Sequence, residues 1–267
     1  MNGFALNNFS SALWAEMLKV RRSKVPLLTA VGFSLAPLMG GLFMIILKDP
    51  VGAREMGLLG AKAQLVVGVA DWPAYFDILA QAVAIGGAAL FAILTIWVFG
   101  REFVDHTAKE LMALPTARAS IVAAKFVVVL LLGLGLTLYI FGLGLLVATL
   151  VDIPGWSQQL VGEAFIGVMG AAMLTLALMP FVALLSSTGR GYLPPIGWTF
   201  LTVFLANIVA YTGWGDWFPW TVPALFSGAA GPRAEQLGLH SYLLVAIALV
   251  IGLAGTFLWW QRADQTR

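Results

Sequence analysis

The chain has no cysteine among its 267 residues, so disulfides and thiolate metal sites are excluded. Charge is scarce as well: Asp, Glu, Lys and Arg make up 10% of the residues, against about 25% in an ordinary soluble domain. No Gly-Lys dipeptide occurs, which rules out a phosphate-binding loop of the G-x-x-x-x-G-K-[ST] type. There is no H-E-x-x-H zinc motif, and neither His106 nor His240 completes a hydrolase triad. No catalytic residue, metal ligand or cofactor site is expected in this chain. A net charge of +2 gives no ground for nucleic-acid binding.

What fills the chain instead is apolar side chain, 60% of all residues. A soluble fold of this length could not bury so much, and an apolar helix of about 20 residues crosses the hydrocarbon core of a bilayer. The runs at 25–47, 76–100, 126–151, 161–185, 192–211 and 240–260 read as six spans of an all-α membrane protein forming one domain over 1–267. The first run is too long for the core of a cleaved leader. Six spans put both termini on one side together with the Gly100–Lys125 and Ser186–Gly191 loops. That side carries eleven of the fifteen Lys and Arg residues, so it is expected to be cytoplasmic.

Smaller features punctuate the spans. In "SSALWAEMLKVRRSK", Leu13, Trp14, Met17 and Leu18 share one helical face and Glu16, Lys19 and Arg22 lie away from it, the pattern of a helix lying in the membrane interface. Asp71 is placed to cap the second span, with Pro73 in its first turn. Asp77 and Glu163 are expected at outer helix starts, where the macrodipole favours negative charge. "AKAQLVVGVA" is compatible with a short surface helix. The loop containing Trp217, Phe218, Pro219, Trp220 and Pro223 is too apolar for water and too short to cross, and reads as an outer re-entrant segment.

Against this background Gly100–Lys125 stands out, because it gathers Arg101, Glu102, Asp105, His106, Lys109, Glu110, Arg118 and Lys125 between two spans. The pattern predicts one helix over Glu102–Met112, supported by the i,i+4 pairs Glu102–His106, Asp105–Lys109 and His106–Glu110 and ended by Pro115. Physics alone leaves two readings open, a solvated connection and an element that transmits force from a soluble partner. "REFVDHTAKELMALPTARASIVAAKF" also resembles the R-E-x-x-x-x-T-x-x-x-L-x-x-L-P-x-x-R-x-x-x-x-x-K signature of type-2 ABC exporter permeases. The bacitracin-resistance and lantibiotic-immunity permeases are the similar group. Arg101, Glu102, Thr107, Leu111, Leu114, Pro115, Arg118 and Lys125 carry the match. The N-terminal helix and the outer loop resemble that family's elbow helix and re-entrant element in character and position.

The resemblance implies a coupling helix, including Arg101, Glu102, Asp105, His106, Thr107, Lys109, Glu110, Leu111 and Pro115, docked on a separate ATPase. It implies two permease copies, expected as a homodimer, and two ATPase subunits that hold ATP and magnesium, in a bacterial cytoplasmic membrane. The expected cargo is an amphipathic drug, peptide antibiotic or lipid-like compound; the residues that would bind it are unknown from the sequence. The alternatives are a membrane anchor without transport activity and an ion-coupled carrier, the latter disfavoured by spans uncharged at their midpoints.

Overall fold

A computed structural model describes residues 2–50, 52, 69–229 and 237–262. Most of the "AKAQLVVGVA" segment lies outside the described residues. Among the described residues the fold is helical throughout: α1 (Asn2–Arg22), α2 (Val25–Lys48), α3 (Trp72–Val104), α4 (Ala108–Ala113), α5 (Arg118–Leu150), α6 (Gln158–Thr188), α7 (Leu193–Val209), α8 (Val222–Phe226) and α9 (Leu239–Arg262).

Local chemistry sets where these helices begin. Asp71 Oδ1 accepts from Ala74 N at 2.9 Å and Pro73 sits in the first turn, so α3 starts where its cap was expected. Ser157 Oγ accepts from Leu160 N at 3.1 Å and opens α6. Both helices therefore begin before Asp77 and Glu163, which lie in the second turn and are exposed. Both lie near the N-terminal ends of their helices, as expected, one turn past the caps. Pro26, Pro194 and Pro223 occupy the first turns of α2, α7 and α8, where the missing N–H has no helical partner to lose.

Helices α2, α3, α5, α6 and α9 are long and apolar enough to cross a membrane. The sixth expected span, α7, has 17 residues, about 26 Å at the helical rise and thus shorter than the core of a typical bilayer. Inside the spans, Thr95, Thr137, Thr175 and Thr256 each donate to the carbonyl four residues earlier, at 2.7–2.8 Å. A hydroxyl without such a partner would be left unsatisfied in hydrocarbon.

The core lies along α6, against which α3 and α9 pack, while α1 and α2 lie along α5. At Gly252 α9 meets the α6 backbone at Pro180 and Phe181 so closely that any Cβ would collide. Of the small residues noted in α5, Gly133 admits Leu176 of α6 and Gly144 admits Leu79 of α3, whereas Gly135 and Gly142 face open space. A π turn, Ala82–Gly86, interrupts α3 in its first half. The side chains of Leu27, Leu28, Val31, Leu35 and Met39 on α2 are exposed, as lipid-facing residues are.

Candidate functional site

The charged segment does not form the single helix that its pairing pattern predicts. α3 ends at Val104, and His106 takes up a left-handed backbone with φ 58°. α4 then starts afresh at Ala108 and stops before Pro115. The i,i+4 pairs expected along one helix are replaced: Arg101 Nε donates to Asp105 Oδ2 at 3.0 Å, and Glu102 turns inward.

Glu102 is the centre of a buried ionic cluster. Its Oε1 accepts from Lys125 Nζ at 3.0 Å and from Lys19 Nζ at 2.6 Å, and its Oε2 accepts from Thr107 Oγ1 at 2.8 Å. Glu16 Oε1 receives the same two ammonium groups, Lys19 at 2.8 Å and Lys125 at 3.1 Å. Lys125 also donates to the Val98 carbonyl at 2.8 Å. Two carboxylates and two ammoniums cancel, and the bonds from Thr107 and to the Val98 carbonyl add further partners. Only such an arrangement makes buried charge tolerable. Lys125 is fully buried, and Glu16 and Glu102 are nearly so. Burial would pull the Lys19 ammonium below its ordinary pKa, but the Glu16 and Glu102 carboxylates outweigh it and hold the pKa raised.

The cluster ties three elements together, α1 through Glu16 and Lys19, α3 through Glu102, and α5 through Lys125. Thr107 adds the first residue before α4. A second set of contacts binds the same region to the last helix. The Phe103 ring lies edge-on to Trp259 and Trp260, at 5.6 and 5.9 Å between centroids. Arg118 Nη1 donates to the Trp260 and Gln261 carbonyls at 3.3 and 3.4 Å, and Trp260 Nε1 donates to Ser187 Oγ at 3.0 Å.

What faces outward is correspondingly defined. Val104, Asp105, His106, Lys109, Glu110, Leu114 and Pro115 are exposed, while Leu111 and Met112 pack partly against the body of the protein. Of the coupling residues expected from the resemblance, Glu102 lies behind this face, Thr107 is its tether, and Arg101 points along α3 toward Trp97. α1 is oriented opposite to a simple amphipathic leader in water. Trp14 and Met17 are exposed, Leu13 and Leu18 are half-buried, and Glu16 and Lys19 form the inward side. Sequence reasoning missed Glu16, although an acid within an otherwise apolar stretch of an interfacial helix is the signal that a cation lies behind it.

On the opposite side of the molecule, Trp217 is exposed and stacks on His240 at 4.5 Å, and His240 Nε2 lies 3.0 Å from Asp216 Oδ2. Phe218, Pro219 and Trp220 are half-buried, with Trp220 edge-on to Phe181 and Trp198. Pro223 and the rest of α8 are inserted against α6 and the π turn. These elements and α7 enclose a cavity of about 80 Å³, lined by Ile85, Met179, Val203, Tyr211, Trp220 and Pro223 among others.

Comparison with known proteins places this architecture. Residues 12–206 match the family described as ABC-2 family transporter protein, a range running from α1 through most of α7. The chain is a member of the ABC-2 family of transporter membrane subunits. It is 31% identical over 182 residues to the bacitracin transport permease protein BCRB of Bacillus licheniformis, which covers 67% of this chain and 85% of that protein. It is thus a multi-pass permease of the bacterial cytoplasmic membrane, from a family that works with an ATPase subunit. α8 and α9 lie beyond the matched range.

Proposed function

We propose that this chain is the permease half of an ATP-driven exporter, with the exposed face around His106 and α4 docking on the ATPase. The observation that carries this reading is the ionic cluster behind that face. A loop that merely connects two spans needs no buried link to α1 and α5. A surface that receives a push does need one, because displacement must reach the spans without the segment simply folding away. ATP and its magnesium belong to the partner, and the permease contributes position and packing.

The same reading sets α7 as a sixth span, both termini in the cytoplasm, and the loop with α8 as an outer re-entrant closure. The excess of Lys and Arg on the α1 and α4 side supports that orientation. Pairing of two copies is supported by the exposed face of α7. Of α7's residues only Pro195, Thr202 and Ala206 are buried, leaving Phe200 and Phe204 on an open apolar face. A homodimer with two ATPases would enclose the pathway between such faces. The cargo class is an amphipathic peptide antibiotic or similarly apolar compound, by likeness to the bacitracin permease.

Lys109 and Glu110 are exposed, and neither has a charged partner within the chain among the described residues. The double reversal Lys109→Glu with Glu110→Lys therefore alters the docking face and nothing behind it. The expected result is normal insertion and thermal stability, weakened co-purification of the ATPase and loss of substrate-stimulated ATP hydrolysis. Unchanged co-purification and transport would reduce the segment to a connector.

A further inference from the structure

We infer that the groove between the end of α1, the end of α3 and Tyr192 binds the phosphate of an acidic membrane phospholipid. The groove has a volume of about 600 Å³, and its lining includes Trp14, Lys19, Arg22, Arg101, Tyr192 and the carboxylate of Asp105. Its cations are not equivalent. Lys19 is already shared between Glu16 and Glu102, so it contributes field but little donor capacity. Arg101 is different: Nε is held by Asp105 at 3.0 Å, and the guanidinium lies 5.8 Å from the centroid of the Trp97 ring. Among the described residues its two terminal nitrogens have no hydrogen-bond partner, which leaves them available to grip a phosphate. Arg22 makes no ion pair among the described residues and is exposed.

The surroundings favour a lipid over a soluble phosphate. Trp14 is 69% exposed beside the groove, and Trp and Tyr settle at headgroup depth in membranes. The residues that continue the chain away from the groove, Leu27 after Ser23 and Leu193 after Tyr192, are exposed and apolar. A ligand seated here would have its charge among arginines and its tails along those side chains. The C-terminal end of α1 carries a partial negative charge that opposes an anion. Lys19, Arg21 and Arg22 in its last turn outweigh it.

This site rests on α1 lying at the membrane surface but not on which leaflet it occupies or on ATPase docking. The test is lipid retention by the purified full chain in mild detergent containing equal phosphatidylglycerol and phosphatidylcholine, read by native mass spectrometry. Wild type is expected to retain phosphatidylglycerol preferentially. Arg22→Gln should lower that retention about fivefold, the effect of one basic residue at an anionic surface, without changing the melting temperature, and Arg22→Lys should keep most of it. Glycerol phosphate added at the same concentration should not displace the lipid. Equal retention of both lipids by wild type needs no variant to read and would overturn the proposal. So would displacement by glycerol phosphate, or unchanged retention in Arg22→Gln.

Discussion

The fully buried Lys125 ammonium lies 3.0 Å from the Glu102 carboxylate, which stands 23 residues earlier in the chain, one turn from where α3 breaks. The two residues fix the start of α5 to the end of α3, and Lys19 and Glu16 extend the link to α1. Removing one charge from this neutral set leaves an uncompensated buried carboxylate. Lys125→Met should therefore destabilise the protein by about 3–5 kcal/mol. Combining it with Glu102→Gln restores neutrality through the remaining Lys19–Glu16 pair, and the double variant should lose less than the sum of the singles. Melting in detergent of all four proteins in the cycle measures this. Strict additivity would show that the residues do not act as a unit.

Helix starts give a contrast between true caps and nearby acids. Ser157→Ala removes the acceptor for Leu160 N and should cost about 1 kcal/mol. Asp77→Asn and Glu163→Gln lie in the second turn, beyond the reach of the macrodipole. They should melt within error of wild type and leave transport intact. A loss of stability in these two equal to that of Ser157→Ala would contradict the observed helix starts.

Lys19 makes a pH prediction whose sign is fixed by its raised pKa. A lysine held above its ordinary value stabilises the fold fully while pH stays below that ordinary value, about 10.4. The contribution disappears only as pH rises through the higher folded value. The stability difference between wild type and Lys19→Met should thus be constant through neutral and mildly alkaline pH and shrink at strongly alkaline pH. A difference that grows or vanishes around neutrality would place the titrating group elsewhere.

Five of the six expected spans were legible in the sequence because hydrophobic runs of this length have few other uses, and Asp71 with Pro73 marked the α3 start by cap chemistry alone. The break at His106 was not legible. Local pairing rules favoured a continuous helix through Glu102 and His106, but Glu102 is drawn inward by Lys19, 83 residues away. Such an attraction leaves no periodicity to read. The partners of α1 were hidden for the same reason. Trp14 and Met17 are exposed, as the apolar face of an interfacial helix is, but Glu16 and Lys19 pair with Lys125 and Glu102 of the interior and not with water.

Thr107 separates docking from transmission. Its hydroxyl donates to Glu102 Oε2 at 2.8 Å, the one side-chain hydrogen bond that, among the described residues, joins the turn before α4 to the cluster. Thr107→Val keeps the shape and leaves Lys109, Glu110 and Leu114 on the exposed face. It removes a bond to a charged acceptor, worth about 1.5–3 kcal/mol, and loosens the mechanical path while the docking surface persists. The ATPase should still co-purify at the wild-type level, while substrate-stimulated ATP hydrolysis and transport fall together. Thr107→Ser, which restores the donor, should recover both. If Thr107→Val transports like wild type with the complex intact, displacement of the exposed face reaches the spans through Phe103 and the Trp259–Trp260 pair and not through the ionic cluster.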